Sequence, residues 1–183
     1  METQAHRHQP LRISLIGTVW RVLKHRWSEL RADNTLPRQA IERLGEQVTA
    51  SERLHTGQIR IVTERGLPWS YLVRNASARE RAIMLFSKYR VWDTAHNNGV
   101  LIYLLMPEHA IEIVADRGFA QHVSSDEWRA LVTQMSASFQ NCDYEAGLAL
   151  ALDAVTAGLA EHFPRTPDAP NSNELPDTPV IIE

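Results

Sequence analysis

Cysteine is nearly missing from this chain: Cys142 is the only one. An internal disulfide framework is therefore excluded, as is any CxxC zinc or redox motif. Excess positive charge is missing too. Nineteen Lys and Arg stand against 22 Asp and Glu, leaving a net charge of -3 and a pI near 6.2, so composition gives no reason to expect nucleic acid. No run approaches the roughly 20 apolar residues that span a bilayer. The N-terminal stretch "ISLIGTVW" is short, runs straight into "RVLKHRW" and has no small-residue cleavage site after it, which argues against a secretory signal. The expected compartment is the cytoplasm, with a peripheral position at the inner membrane in view. Glycine-rich phosphate loops of the GxxxxGK[ST] kind, HExxH motifs and Asp-x-Asp pairs are all lacking, which removes the common phosphate-loop, zinc-protease and aspartyl-nucleophile chemistries.

What is present divides into three zones. Residues 1–34 hold a basic amphipathic helix: Leu15, Ile16, Val19, Trp20, Leu23, Trp27 and Leu30 recur at threes and fours among Arg12, Arg21, Lys24, His25, Arg26 and Arg31. Such a helix suits a membrane surface or a partner helix, or it folds back onto its own domain. Residues 165–183 carry four of the nine prolines with no periodicity, and composition predicts a disordered tail. Between them, residues 35–164 form the domain.

Within the domain, Pro37 can open a helix with Ile41, Leu44 and Val48 on its apolar stripe. "GQIRIVTE" alternates Ile59 and Ile61 with Arg60 and Val62 and reads as a strand. Ser77 and Glu80 form a capping box for a helix carrying Ile83, Phe86 and Trp92. "VLIYLLM" is apolar on both faces, as an interior strand should be. The short "PEH" connection into "AIEIVAD" demands antiparallel neighbours. Ser124 and Glu127 form a second capping box, opening a helix that buries Trp128, Leu131, Val132, Met135 and Phe139. Asp143 caps a last helix to about His162, with Leu148, Leu152, Val155 and Leu159 inward. His6, His8 and His25 are expected to face solvent. The order α-β-α-β-β-α-α specifies a three-layer α/β/α sandwich around a small mixed sheet.

"TGQIRIVTE", "HNNGVLIYLLMPEHAIEIVADRG" and "FQNCDYEAGLALALDAV" resemble, in order, three blocks of the TPM domain family. The resemblance implies a Rossmann-like sandwich, divalent-cation binding in some members and an acid phosphatase activity claimed for the plant branch. It also implies partners: a larger membrane-associated TPM protein or a LemA-type membrane protein. Other members often carry Asp-Asn-Gly where this chain has Asn97-Asn98-Gly99, a difference of one formal carboxylate.

Geometry gathers the polar residues of "VWDTAHNNGVLIYLL" at one place. If the two apolar strands form a hairpin, Asn97 and Asn98 lie beside Asp116 and Arg117, with His55 and Thr56 at the same sheet edge. Asp93, Asn97, Asn98, Asp116 and Asp126 are the candidate ligands for calcium or magnesium, which take oxygen donors. Arg117 and the amides of a helix starting at Ser124 are candidate phosphate contacts. A turn explains the same residues without any ligand, since Asn-Gly supplies positive φ and Asp-Arg-Gly is an ordinary strand exit. The expected role is a non-catalytic TPM module that takes a divalent cation and associates with a membrane-linked partner. The alternative is a weak metal-dependent acid phosphatase acting on phosphate monoesters through metal-activated water.

Overall fold

The structure, a computed structural model, describes residues 15–30, 36–123, 133, 143–166 and 173–183. Ser124, Asp126, Cys142 and the helix expected after Ser124 lie outside these residues.

Four strands form one sheet in the order β3-β2-β1-β4. Strand β1 (Gln58–Glu64) and β2 (Gly99–Leu105) are parallel, and β3 (Ala110–Ala115) returns antiparallel to β2 through a 3-10 turn at Met106–Glu108. Every residue of β1 and β2 is buried, as central strands covered on both faces must be. The pleat sends Ile59, Ile61, Val100, Ile102 and Leu104 to one face. There they pack on α2 (Arg38–Ser51) and on the long helix α6 (Tyr144–His162). Val62, Leu101, Tyr103 and Leu105 point the other way, onto α4 (Ala78–Lys88), with α3 (Trp69–Val73) supplying Leu72. The molecule is thus an α/β fold with helices on both sides of a mixed sheet.

Two of the caps read from the sequence, at Ser77 and Asp143, are made. Ser77 Oγ accepts from the Glu80 N–H at 3.1 Å, and Asp143 Oδ1 accepts from Ala146 N–H at 3.1 Å. Leu148, Leu152, Val155 and Leu159 are buried as expected. α4, however, stops at Lys88, and Arg90 adopts a positive φ of 55°. Trp92 therefore falls outside the helix and Ile83 faces solvent, while α4 buries Ala78, Arg81, Ala82 and Leu85 instead.

Two expectations are corrected. The proline-rich end was expected to be a loose tail, yet Val180–Ile182 form β4, parallel to β1 at Val62–Glu64. Side chains of β1 hold the approach: Gln58 Oε1 accepts from Glu174 and Leu175 N–H, and Arg60 donates to the Pro176 and Thr178 carbonyls. Leu175 is buried beside them. Open backbone groups on β1 are the physical reason, because an uncovered sheet edge recruits any extended segment within reach.

The second correction concerns α1 (Leu15–Leu30). The helix forms, but with its polar side inward. His25, expected in solvent, is fully buried. Its Nδ1 accepts from the Leu67 N–H at 3.0 Å, so Nε2 carries the proton and donates to Glu108 Oε1 at 2.9 Å. Arg21 donates to the same Glu108 oxygen at 2.6 Å and to the Ala76 carbonyl. Burial alone would raise the Glu108 carboxyl, but the His25 and Arg21 hydrogen bonds outweigh it and hold the group at about 2. Trp20, Leu23 and Trp27 are left 70%, 54% and 67% exposed.

Candidate functional site

The amino ends of β1 and β2 and the carboxyl end of β3 meet at one sheet edge, since Gln58 pairs with Gly99 and Val100 with Ala115. α1 lies at the opposite edge, against Leu67 and Glu108. Three chain segments interlock at the first edge. Asn97 takes a positive φ of 52°, which Asn tolerates better than most residues. Its carbonyl accepts from the Gly118 N–H at 2.9 Å, and the Asp116 N–H donates to the Gly99 carbonyl at 2.8 Å. A β-carbon at Gly118 would run into the Asn97 and His96 carbonyls. The expected "NNG" and "DRG" stretches thus bind each other through their backbones.

Asn98 is buried and faces into the domain. Its N–H donates to Thr94 Oγ1 at 3.1 Å, and its amide Nδ2 donates to Thr56 Oγ1 at 3.2 Å. Thr94 was not among the candidate residues, although its four-residue spacing from Asn98 was a readable signal for a side-chain-stapled turn. Thr56 stands at this edge as expected. His55 is buried away from it: Ser51 Oγ lies 2.8 Å from Nε2 and the Gly57 carbonyl 3.1 Å from Nδ1. Burial drives the His55 pKa down to about 4.

Asp116 caps the four-residue helix α5 (Arg117–Ala120), with Oδ1 accepting from Arg117 N–H at 2.7 Å. Its second oxygen, Oδ2, is enclosed and has no hydrogen-bond partner among the described residues. Phe119, the next core residue, anchors this turn in the α6 side of the core. Arg117 is exposed, its Nη2 3.4 Å from Asn97 Oδ1. Asp93 is exposed on the turn after α4, and its N–H bonds the Arg90 carbonyl. The structure therefore brings Asn97, Asn98, Asp116 and Arg117 together, while Asp93 stands at the rim. Among the described residues no group of three or more His, Cys, Asp or Glu could hold a metal ion. Donors at this edge are instead mixed: one free carboxylate oxygen, an amide and backbone carbonyls. Such hard oxygens fit Ca2+ or Mg2+ only as a site in which the cation keeps several waters.

A family model described as the TPM domain matches residues 31–158. No curated protein matches the chain. Among solved structures, the NMR structure of the BA42 protein from the psychrophilic bacterium Bizionia argentinensis is similar, with a TM-score of 0.70 and 23% identity. That likeness covers 82% of this chain and 98% of the other.

Proposed function

The chain belongs to the TPM domain family, and from that premise we propose that it is a non-catalytic module which takes a divalent cation at the Asn97–Asp116 edge and associates with a membrane-linked partner. The observation that supports the cation half is Asp116 Oδ2, an enclosed carboxylate oxygen with no hydrogen-bond donor among the described residues. The carboxylate is half-buried and Oδ1 alone is engaged, by the Arg117 N–H, so a cation would complete the coordination of its second oxygen. Asp116 would be the charged ligand and Asn97 the nearest amide. Asn98 serves the turn through Thr94 and Thr56. Bound there, the ion would supply positive charge and tie the two turns together.

Calorimetric titration of Ca2+ and Mg2+ into the metal-free chain tests this, with Asp116→Asn alongside. Asn keeps an acceptor for the Arg117 N–H and removes the charge. Binding in the wild type that is lost in the variant supports the reading. No heat at millimolar cation sinks it and leaves turn chemistry as the whole account of the edge.

The phosphatase reading draws on Arg117, whose exposed guanidinium can hold two phosphate oxygens. Hydrolysis of p-nitrophenyl phosphate by the cation-loaded chain, with Arg117→Ala as control, decides it. Turnover that vanishes in the variant would replace the non-catalytic reading.

A further inference from the structure

The cation edge leaves the other end of the sheet unexplained, and there α1 shows an inverted design. An amphipathic helix on a folded domain ordinarily buries its apolar stripe. Here Arg21 and His25 face the domain, with Val22 packing beside them. Trp20, Leu23 and Trp27 face out, at the i, i+3, i+7 spacing of a single stripe. α3, in contact with α1, adds Trp69 and Val73, 65% and 52% exposed. Lys24 is exposed in the same stripe, one turn from both Trp20 and Trp27.

We propose that the outer face of α1, with Trp69 of α3 beside it, docks on an anionic lipid surface. Two features choose lipid over a protein groove. Trp is amphipathic and settles at headgroup depth, with its ring in the acyl boundary and its N–H in the wet layer. Charge agrees: the whole chain carries -3, yet α1 holds Arg21, Lys24 and Arg26 against Glu29 alone. Arg21 is committed inward to Glu108, whereas Lys24 stands among the tryptophans. A lysine inside an apolar stripe disfavours a dry protein groove. On a membrane its stem lies along the apolar layer and its ammonium reaches a phosphate. The helix is held by hydrogen bonds on its inner side, so the stripe is presented already folded. This inference deepens the membrane-association half of the proposed function and is independent of the cation half.

The test is sedimentation of the full chain with phosphatidylcholine vesicles, with and without phosphatidylglycerol, in EDTA so that no divalent cation contributes. Wild type should sediment with the phosphatidylglycerol vesicles and show a blue-shifted Trp emission. Trp20→Ser with Trp27→Ser should bind about ten-fold or more weakly, and Lys24→Gln about five-fold more weakly. An unchanged thermal melt shows that these exposed substitutions leave the domain folded. Wild type that stays in the supernatant with both vesicle types overturns the proposal, as does a double variant that sediments like wild type. A lipid-indifferent wild-type dimer that the double variant abolishes in ultracentrifugation also overturns it, assigning the stripe to a second copy of the chain.

Discussion

The phenol of Tyr103 on β2 donates to Glu64 Oε2 on β1 at 2.6 Å, deep between the sheet and α4. Arg81 of α4 closes the group, its Nε donating to the same oxygen at 2.9 Å. Glu64 is fully buried and Arg81 nearly so, while the Tyr71 ring lies over the guanidinium at 5.1 Å. Burial and the neighbouring carboxylate push the Tyr103 hydroxyl far above its ordinary range, so it stays a donor.

Removing the cation alone should be severe. Arg81→Leu leaves a buried carboxylate with one neutral donor, and a loss of about 3–5 kcal/mol is expected. Arg81→Leu combined with Glu64→Gln, whose amide oxygen still accepts from Tyr103, should cost much less than the single change. Urea denaturation of the three proteins checks this; equal losses in the single and double variants would show that the charge is not the cause.

Two buried groups set opposing pH trends. Burial raises Glu52 from 4.5 to about 7 although its carboxylate accepts from Ile59 N–H. Its contribution is fully present below about 4.5 and is lost as pH climbs through 7. His55 is lowered from 6.5 to about 4, so its contribution is present above 6.5 and is lost as pH falls through 4. Between these limits they offset. Glu52→Gln keeps an acceptor for Ile59 and removes one trend, so its stability should fall steadily as pH drops from 6.5 to 4. It should exceed wild type by about 1–3 kcal/mol above pH 7. Chemical denaturation across that range decides; parallel curves for the two proteins would refute the assignment.

Gly118→Ala should loosen the interlocked turns, since the new methyl meets two carbonyl oxygens. A loss of about 1–3 kcal/mol is expected, with amide exchange faster at Gly118 and Asp116 and unchanged in β1. Uniform acceleration throughout the sheet would mean that the turns are not a separate unit.

Glu108→Gln tests the seat of α1. Arg21 and His25 both lose a charged acceptor, at about 1.5–3 kcal/mol for charge-assisted hydrogen bonds. Limited proteolysis should then cut near α1 first, while the thermal melt of the domain shifts little. The same link should weaken in acid: Glu108, lowered to about 2, contributes above about 4.5 and loses that contribution as pH falls toward 2. Protease resistance of α1 equal to wild type would show that other contacts hold it.

The strands, the hairpin and the inward face of α6 were legible in the sequence because period and capping are local signals. α1 was legible as a helix and illegible as to its face. Its polar residues find partners in Leu67, Asn75, Ala76 and Glu108, far along the chain, and no periodicity announces them. β4 was missed for a related reason: Gln58 and Arg60 select the segment before it, through its backbone rather than its side chains. At the polar edge, sequence placed Asn97 beside Asp116 correctly. It could not tell that Asn98 turns inward to Thr56, nor that one Asp116 oxygen has no donor among the described residues.

The pairing of Val62 with Val180 also bears on synthesis. β1 leaves the ribosome before β2 and β3, which can join it soon after, but its outer side waits for Val180–Ile182, which are made long after β3. During that interval the nascent chain carries an open strand that any neighbouring chain could occupy. Slow translation of the stretch between β3 and β4 should therefore increase misassembly, and a chaperone that covers that strand should relieve it.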